Sequence, residues 1–239
     1  REAQYNSHMH EKTAPFLDLS PETDSRRRFL GLGLGLGALI GGSNLTGCSL
    51  MSSRKPIIGL ALGAGAARGF AHVGVIKALE AQGIRPDIVV GSSAGSVIAA
   101  LLASGATGND LNRLALNLDE ATIADWGLPF AGRFGGLIKG DALQNMVNRE
   151  VQNKSIEQMR IPLGIVATEL QSGKGVLFRS GNTGLAVRAS CSVPGVFQPA
   201  VISGKEYVDG GLVAPVPASY ARQMGATLVI AVNISSEPV

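Results

Sequence analysis

Cysteine, histidine and aromatic residues are scarce in this sequence. Its 239 residues include two cysteines, three histidines and one tryptophan, with 5% aromatic and 16% charged residues. Two cysteines, Cys48 and Cys191, could close at most one bridge, so no disulfide framework holds the fold. The net charge is only +3, with no Lys/Arg block outside one short cluster, which argues against a polyelectrolyte and hence against a nucleic-acid binder. The low charge sits beside 45% hydrophobic residues, which excludes a disordered chain, and the length suffices for one well-buried core or at most two small ones. Glycine, in contrast, is abundant, with 32 residues spread unevenly along the chain.

The first third reads as a leader. Residues 1–24 are polar and aperiodic; the chain begins without Met, which leaves two readings, Met9 as the start or the chain as a fragment. Arg26, Arg27 and Arg28 then precede an apolar, glycine-rich run from Phe29 to Leu45, followed by Thr46-Gly47-Cys48, the order of a basic n-region, an h-region and a small-residue cleavage site. Ser25-Arg26-Arg27-Arg28-Phe29-Leu30 resembles a twin-arginine export motif, and Leu45-Thr46-Gly47-Cys48 resembles a bacterial lipobox, whose cysteine becomes the acylated N-terminus. A membrane-spanning anchor fits less well, because the run falls short of the roughly 20 apolar residues a span needs and six glycines interrupt it. The expectation is an exported bacterial lipoprotein, tethered through acyl chains such as palmitate on Cys48 to a membrane at its periplasmic face; Ser49 is compatible with the outer membrane. This divides the chain into a leader and signal peptide over 1–47, a short linker over 48–56 and a folded domain over 57–239. Cys191, left alone in an apolar stretch, reads as a small core residue.

Within the domain, short apolar runs alternate with helical spacings. Ile57 to Leu62 reads as a buried strand, Gly63 to Gly69 as a loop, and Phe70 to Gln82 as a helix with Val73, Val75, Ile76 and Leu79 on its apolar positions. Ile88 to Val90 reads as a second strand, Gly91 to Gly95 as a turn and Ser96 to Ala103 as a second helix. Further strands are expected at Ile161 to Thr168, Val176 to Arg179, Tyr207–Val208 and Thr227 to Val232, and helices at Leu185 to Ala189 and Val216 to Met224. Asn109 to Arg160 reads as mostly helical, with Asp141 as the N-cap of a helix using Leu143, Met146 and Val147. This alternation implies an α/β fold with a largely parallel sheet.

Gly91-Ser92-Ser93-Ala94-Gly95 fits G-x-S-x-G between a strand and a helix, the context in which a sharp turn presents a serine at a helix N-terminus. A serine nucleophile needs a base, and the histidines are His8, His10 and His72, none of which follows Ser93; the chain order of an α/β-hydrolase triad is therefore impossible. His72 reads as a support for the neighbouring loop rather than as the base. A carboxylate remains, and Asp209-Gly210-Gly211 at a strand end offers one. Alone it would be an ordinary tight turn; beside an elbow lacking a histidine it is the best partner for Ser93. Gly63-Ala64-Gly65-Ala66-Ala67-Arg68-Gly69 joins a strand to a helix, where backbone N–H groups can bind a phosphate or an oxyanion. Its glycines are spaced G-x-G-x-x-x-G, not the dinucleotide pattern G-x-G-x-x-G.

Together the glycine loop with Arg68-Gly69, the elbow and the Asp209-Gly210-Gly211 turn resemble the patatin-like phospholipase family, in its bacterial branch similar to neuropathy target esterase. Arg68-Gly69-Phe70-Ala71-His72-Val73-Gly74-Val75, Ala167-Thr168-Glu169-Leu170, Val187-Arg188-Ala189-Ser190 and Pro194-Gly195-Val196-Phe197 extend the likeness from Ile57 to Ile234. The resemblance implies a three-layer α/β/α fold around a mostly parallel sheet and a Ser-Asp dyad of Ser93 as nucleophile and Asp209 as base. It further implies an oxyanion hole from the loop of Gly63, Gly65, Ala66, Ala67, Arg68 and Gly69, with Arg68 at the family's basic position. Gly91 and Gly95 would flank the elbow and Gly210 and Gly211 the turn after the base. The implied activity is hydrolysis of a phospholipid, lysophospholipid or simpler fatty-acyl ester through an acyl-enzyme, with no cofactor and no metal. Ala64 and Ala66 depart from the family's glycines; alanine keeps its N–H, so the hole survives where these residues have negative φ. The chain also ends at Val239, soon after the last strand, where family members commonly continue into further helices, so a C-terminally shortened domain is expected.

Trp126 to Ile138, with Leu128, Phe130, Phe134 and Leu137, reads as core filling or as a lid or acyl-pocket wall. Two competing readings are a non-catalytic lipid-binding lipoprotein and a phosphate- or dinucleotide-binding domain built on the first glycine loop.

Overall fold

A computed structural model describes residues 55–117 and 138–234. The leader, Cys48 and the Trp126 to Leu137 stretch lie outside the described residues. Among the described residues seven strands form one sheet: β1 (Ile58–Leu62), β2 (Ile88–Ser92), β3 (Leu163–Glu169), β4 (Gly175–Phe178), β5 (Ala200–Ile202), β6 (Lys205–Val208) and β7 (Leu228–Val232). The order is β5-β6-β3-β2-β1-β7, with β4 paired to β3 as well. β7, β1, β2 and β3 run parallel, while β4 and β6 join β3, and β5 joins β6, antiparallel. The expected parallel core is present, and its β3 side is antiparallel.

Alternation along the strands separates two apolar faces. Leu60, Leu62, Val89, Leu163 and Ile165 point into the larger core, with helices α1 (Ala71–Ala81), α2 (Ala94–Ser104), α3 (Gly108–Asn117), α4 (Asp141–Glu150) and α5 (Thr183–Cys191) supplying residues such as Ile76, Leu101, Leu111, Val147 and Val187. Ala61, Ile88, Val90 and Val166 point the other way, onto α6 (Ala218–Gln223) and the chain around Ala214 and Ala226. The layering is therefore α/β/α, thick on one side and thin on the other.

α2 is buried over most of its length, which its run of alanine, leucine and isoleucine permits. It starts at the turn after β2 and ends at Gly105, whose φ of 113° is the left-handed conformation that closes helices. Asn182 caps α5 by accepting a hydrogen bond from Leu185 N at 2.7 Å. Asp141 does not cap α4: it is the first helical residue, Gly140 occupies the cap position at φ 86°, and the Asp141 carboxylate instead pairs with Arg188 on α5. Strand β5 leaves no mark in the sequence, since three residues between Pro199 and Ser203-Gly204 carry no usable period. The glycine loop is partly helical, with a 3₁₀ turn over Ala66–Phe70.

The register around β3 positions everything that follows. At Ile165 the strand is flanked by Gly91 of β2 and Phe178 of β4; at Thr168 it is flanked by Val208 of β6 and Gly175 of β4. β2 and β6 therefore occupy the same edge of β3 in succession. β2 ends opposite Val166, the antiparallel β6 ends opposite Thr168, and the two strands meet head to head at the level of Ala167.

Candidate active site

Ser93 and Asp209 are the residues that follow those two strand ends. Ser93 Oγ donates to Asp209 Oδ2 at 2.6 Å, and Gly211 N donates to the other carboxylate oxygen, also at 2.6 Å. Both side chains are buried. Burial raises the Asp209 pKa above the ordinary carboxylate range; the hydrogen bonds from Ser93 and Gly211 partly oppose it. The carboxylate is thus a better proton acceptor than a solvated aspartate and already holds the serine hydroxyl. An oriented base at hydrogen-bond distance is the geometry that activates a serine.

The elbow is sharp, as its sequence requires. Ser93 has φ 50° and ψ −127°, outside the regions L residues ordinarily occupy. A Cβ on Gly91 would fall 2.4 Å from Ser96 Cα, and one on Gly95 would fall 2.2 Å from Leu62 O. Gly91 is thus required by the helix packed across it, and Gly95 by the end of β1. Ser93 O accepts from Ser96 N at 2.8 Å and from Ser96 Oγ at 2.6 Å.

The loop after β1 closes the third side. Gly69 lies against Ala94, with 2.9 Å from its would-be Cβ to the Ala94 Cβ, and Gly211 lies against Ala64 at 2.8 Å in the same sense. The loop therefore touches both the elbow and the turn after Asp209. Among the described residues, the N–H groups of Gly65, Ala66 and Ala67 donate to no acceptor, so they are available to a developing oxyanion. Ala66 does not meet the negative-φ condition set from the sequence: its φ is 49°, in the left-handed region, so it takes the backbone conformation a glycine would have there and its N–H stays unpaired among the described residues. Gly65, at φ 168°, is extended, and its missing side chain is explained by Ile234, whose Cγ1 would lie 2.7 Å from a Cβ. Gly63 packs against Pro215 O and Val232 O. These glycines are used for contacts within the protein, which removes the argument for a pyrophosphate resting on them. Arg68 is exposed on the 3₁₀ turn.

His72 is fully buried, and its Nε2 donates to Gly63 O at 2.8 Å. Burial lowers its pKa, so it is held neutral. It is a loop support, as the sequence suggested, and does not reach the dyad. Cys191 is a buried free thiol whose pKa burial pushes up to about 12; it is part of the core. Among the described residues no cluster of His, Cys, Asp or Glu is arranged to hold a metal, and no helix is long and apolar enough to cross a membrane. A cleft lined by Leu60, Ile84, Pro86, Leu102 and Ile161 opens at the amino ends of the strands, the opposite end of the sheet from Ser93.

Two further residues belong to the site and had no role from sequence. Thr168 Oγ1 donates to Asp209 O at 2.8 Å. Ser190 Oγ accepts from Ser93 N at 2.8 Å and donates to Val166 O at 2.6 Å. The signal for them in the sequence is their place in the Ala167-Thr168-Glu169-Leu170 and Val187-Arg188-Ala189-Ser190 stretches of the family resemblance, which assigns neither hydroxyl a task.

The family model for patatin-like phospholipases matches residues 60–222. An uncharacterized NTE family protein of Mycobacterium tuberculosis is 36% identical over 169 residues, covering 71% of this chain and 46% of its own length. The human patatin-like phospholipase domain-containing protein 6 is 33% identical over 175 residues, 72% of this chain and 13% of that protein. The chain thus spans about half the length of the mycobacterial relative and a small part of the human one. Among solved structures, VipD from Legionella pneumophila superposes with a TM-score of 0.53 at 17% identity, covering 66% of this chain and 46% of its own, a likeness of fold.

Proposed function

This chain belongs to the patatin-like phospholipase family, and we propose that its folded domain is a serine lipid acyl hydrolase working through a Ser93–Asp209 dyad. The observation that carries this reading is the 2.6 Å hydrogen bond from Ser93 Oγ to the buried Asp209 carboxylate, made at a strained strand-to-helix elbow.

Ser93 Oγ attacks the ester carbonyl of a lysophospholipid, phospholipid or simpler fatty-acyl ester while its proton passes to Asp209 Oδ2. The carbonyl oxygen gains the charge and meets the N–H groups of Gly65, Ala66 and Ala67; each well-aimed donor of this kind lowers the barrier by about 3 kcal/mol. The C–O bond to the alcohol breaks, and that oxygen takes the proton from Asp209. Asp209 next accepts a proton from water as the water attacks the Ser93 acyl ester, and the fatty acid leaves with the serine hydroxyl restored.

Export and acyl tethering at Cys48 complete the proposal; the Arg26-Arg27-Arg28 cluster, the glycine-rich h-region and Leu45-Thr46-Gly47-Cys48 support it, and a tether would hold the domain at the surface where its substrate resides. Incorporation of labelled palmitate into wild type but not Cys48→Ser is the expected result.

The activity is tested by following hydrolysis of fatty-acyl esters and labelling by a fluorophosphonate in wild type and Ser93→Ala. Turnover and labelling in the first, with neither in the second, are expected. A folded wild type that neither turns over nor labels would leave a non-catalytic lipid-binding protein as the better account.

A further inference from the structure

We propose that Ser190 is a positioning residue of this site, its hydroxyl tying the backbone amide of Ser93 to strand β3. The inference rests on the reading of Ser93 as nucleophile.

A residue with a Cβ at φ 50° and ψ −127° relaxes unless its surroundings hold it on both sides. The carbonyl side of Ser93 is held by Ser96, through its N–H and its hydroxyl. The amide side is held by the Ser190 hydroxyl, at 2.8 Å. That hydroxyl has one proton, and it is committed to Val166 O at 2.6 Å. A lone pair of Ser190 Oγ therefore faces Ser93 N, so both hydrogen bonds have a defined sense. Ser190 is fully buried, so no bulk water replaces it.

The other end of this link shows why the bond bears on chemistry. Val166 O also lies against Gly210, only 2.1 Å from where a Cβ on that residue would stand. One carbonyl of β3 thus carries the Ser190 bridge to the nucleophile and the turn that follows the base. Holding the Ser93 amide against it fixes the elbow in the same frame as Asp209. A serine late in a helix ordinarily donates back to the carbonyl four residues earlier. Ser192 does so, to Arg188 O at 2.8 Å, whereas Ser190 reaches outside its own helix to the sheet and the elbow. The bridge also occupies the Ser93 N–H, which leaves the oxyanion to the loop after β1.

The test compares wild type with Ser190→Ala on a soluble fatty-acyl ester. Rates are expressed per fluorophosphonate-titrated site, with amide hydrogen exchange at Ser93 as a second readout. Expected is a fall in kcat of about 10- to 100-fold, the effect of leaving one buried donor unpaired at the reacting turn. KM stays within about twofold, the pH midpoint stays where wild type has it, and Ser93 exchange accelerates. Ser190→Cys keeps the volume with a weaker acceptor and gives the same pattern, so it serves where the alanine variant does not accumulate. Wild-type kcat per titrated site, or a loss carried by KM, overturns the proposal. If wild type itself neither labels nor turns over, the hydrolase reading has failed, and Ser93 exchange then decides: faster exchange in the variant supports the bridge and unchanged exchange overturns it.

Discussion

Ser93 and Asp209 stand 116 positions apart in the chain and share a 2.6 Å hydrogen bond because the two strands that deliver them, β2 and β6, end head to head on one edge of β3. Ser93 arrives from a parallel strand and Asp209 from an antiparallel one. Neither needs a long loop to reach the other, and the pair is held by backbone on both sides. The consequences can be measured.

The first concerns pH. In the proposed mechanism ionised Asp209 accepts the serine proton, and burial raises its pKa. Hydrolysis plotted against pH is therefore expected to rise through a midpoint above that of a solvated aspartate. A group whose folded pKa is raised adds stability below its unfolded pKa, and that stability is lost as pH rises through the folded value. At neutral pH the charged Asp209 thus weighs against the fold. Asp209→Asn should abolish most activity while raising the melting temperature at pH 7, by about 2–4 °C for each kcal/mol relieved in a domain of this size. An unchanged or lowered melting temperature in a correctly folded variant would contradict the burial argument.

His72 has the opposite linkage. Its folded pKa lies below the unfolded value of about 6.5, because burial disfavours the cation while the Gly63 carbonyl only partly compensates. The unfolded chain binds the extra proton first, so stability is complete above about pH 6.5 and falls as the pH drops towards the folded pKa. Denaturant melts at a series of pH values should show this acid-side loss. His72→Gln, which cannot titrate, should flatten it and cost about 1–3 kcal/mol at pH 7 through poorer support of the Gly63 carbonyl. An identical slope in wild type and variant would sink the assignment.

Glycines of similar sequence context should respond oppositely to alanine. A Cβ on Gly95 would meet Leu62 O at 2.2 Å, and backbone cannot step aside as a side-chain tip can. Gly95→Ala is expected to destabilise by more than about 2 kcal/mol and to remove activity with the elbow. Gly74, inside α1, has nothing within 4 Å of where a Cβ would stand. Gly74→Ala should stabilise by roughly 0.5–1 kcal/mol, the helix-propensity gain, and leave turnover alone. Equal effects at the two positions would refute the packing account.

The elements nearest the chemistry are the most legible in the sequence, and for a physical reason. A strand, a turn of tiny residues and an apolar helix leave a local signature, so Gly91 to Gly95 mark the elbow without help from the rest of the chain, and the lack of a histidine after Ser93 directs attention to Asp209. Features that depend on partners far away in the chain are not legible. Asp141 has the local context of a helix cap, but Arg188, 47 residues on, takes its carboxylate. The sequence leaves the φ of Ala66 open, and the loop packed between the elbow and the Asp209 turn sets it at 49°. β5 is three residues long and exists because β6 lies beside it.

By itself, the sequence determined the α/β alternation, the sharp turn at Ser93 and the chemical identity of the pair, because these depend on side-chain type, local periodicity and the presence or absence of a residue. Only the tertiary structure decided that β2 and β6 share an edge of β3, that Ser190 and Thr168 brace the two turns there, and that Asp209 is buried with a raised pKa. Strand pairing, desolvation and hydrogen bonds across the fold are properties of residues brought together from separate parts of the chain, and no stretch of sequence carries them alone.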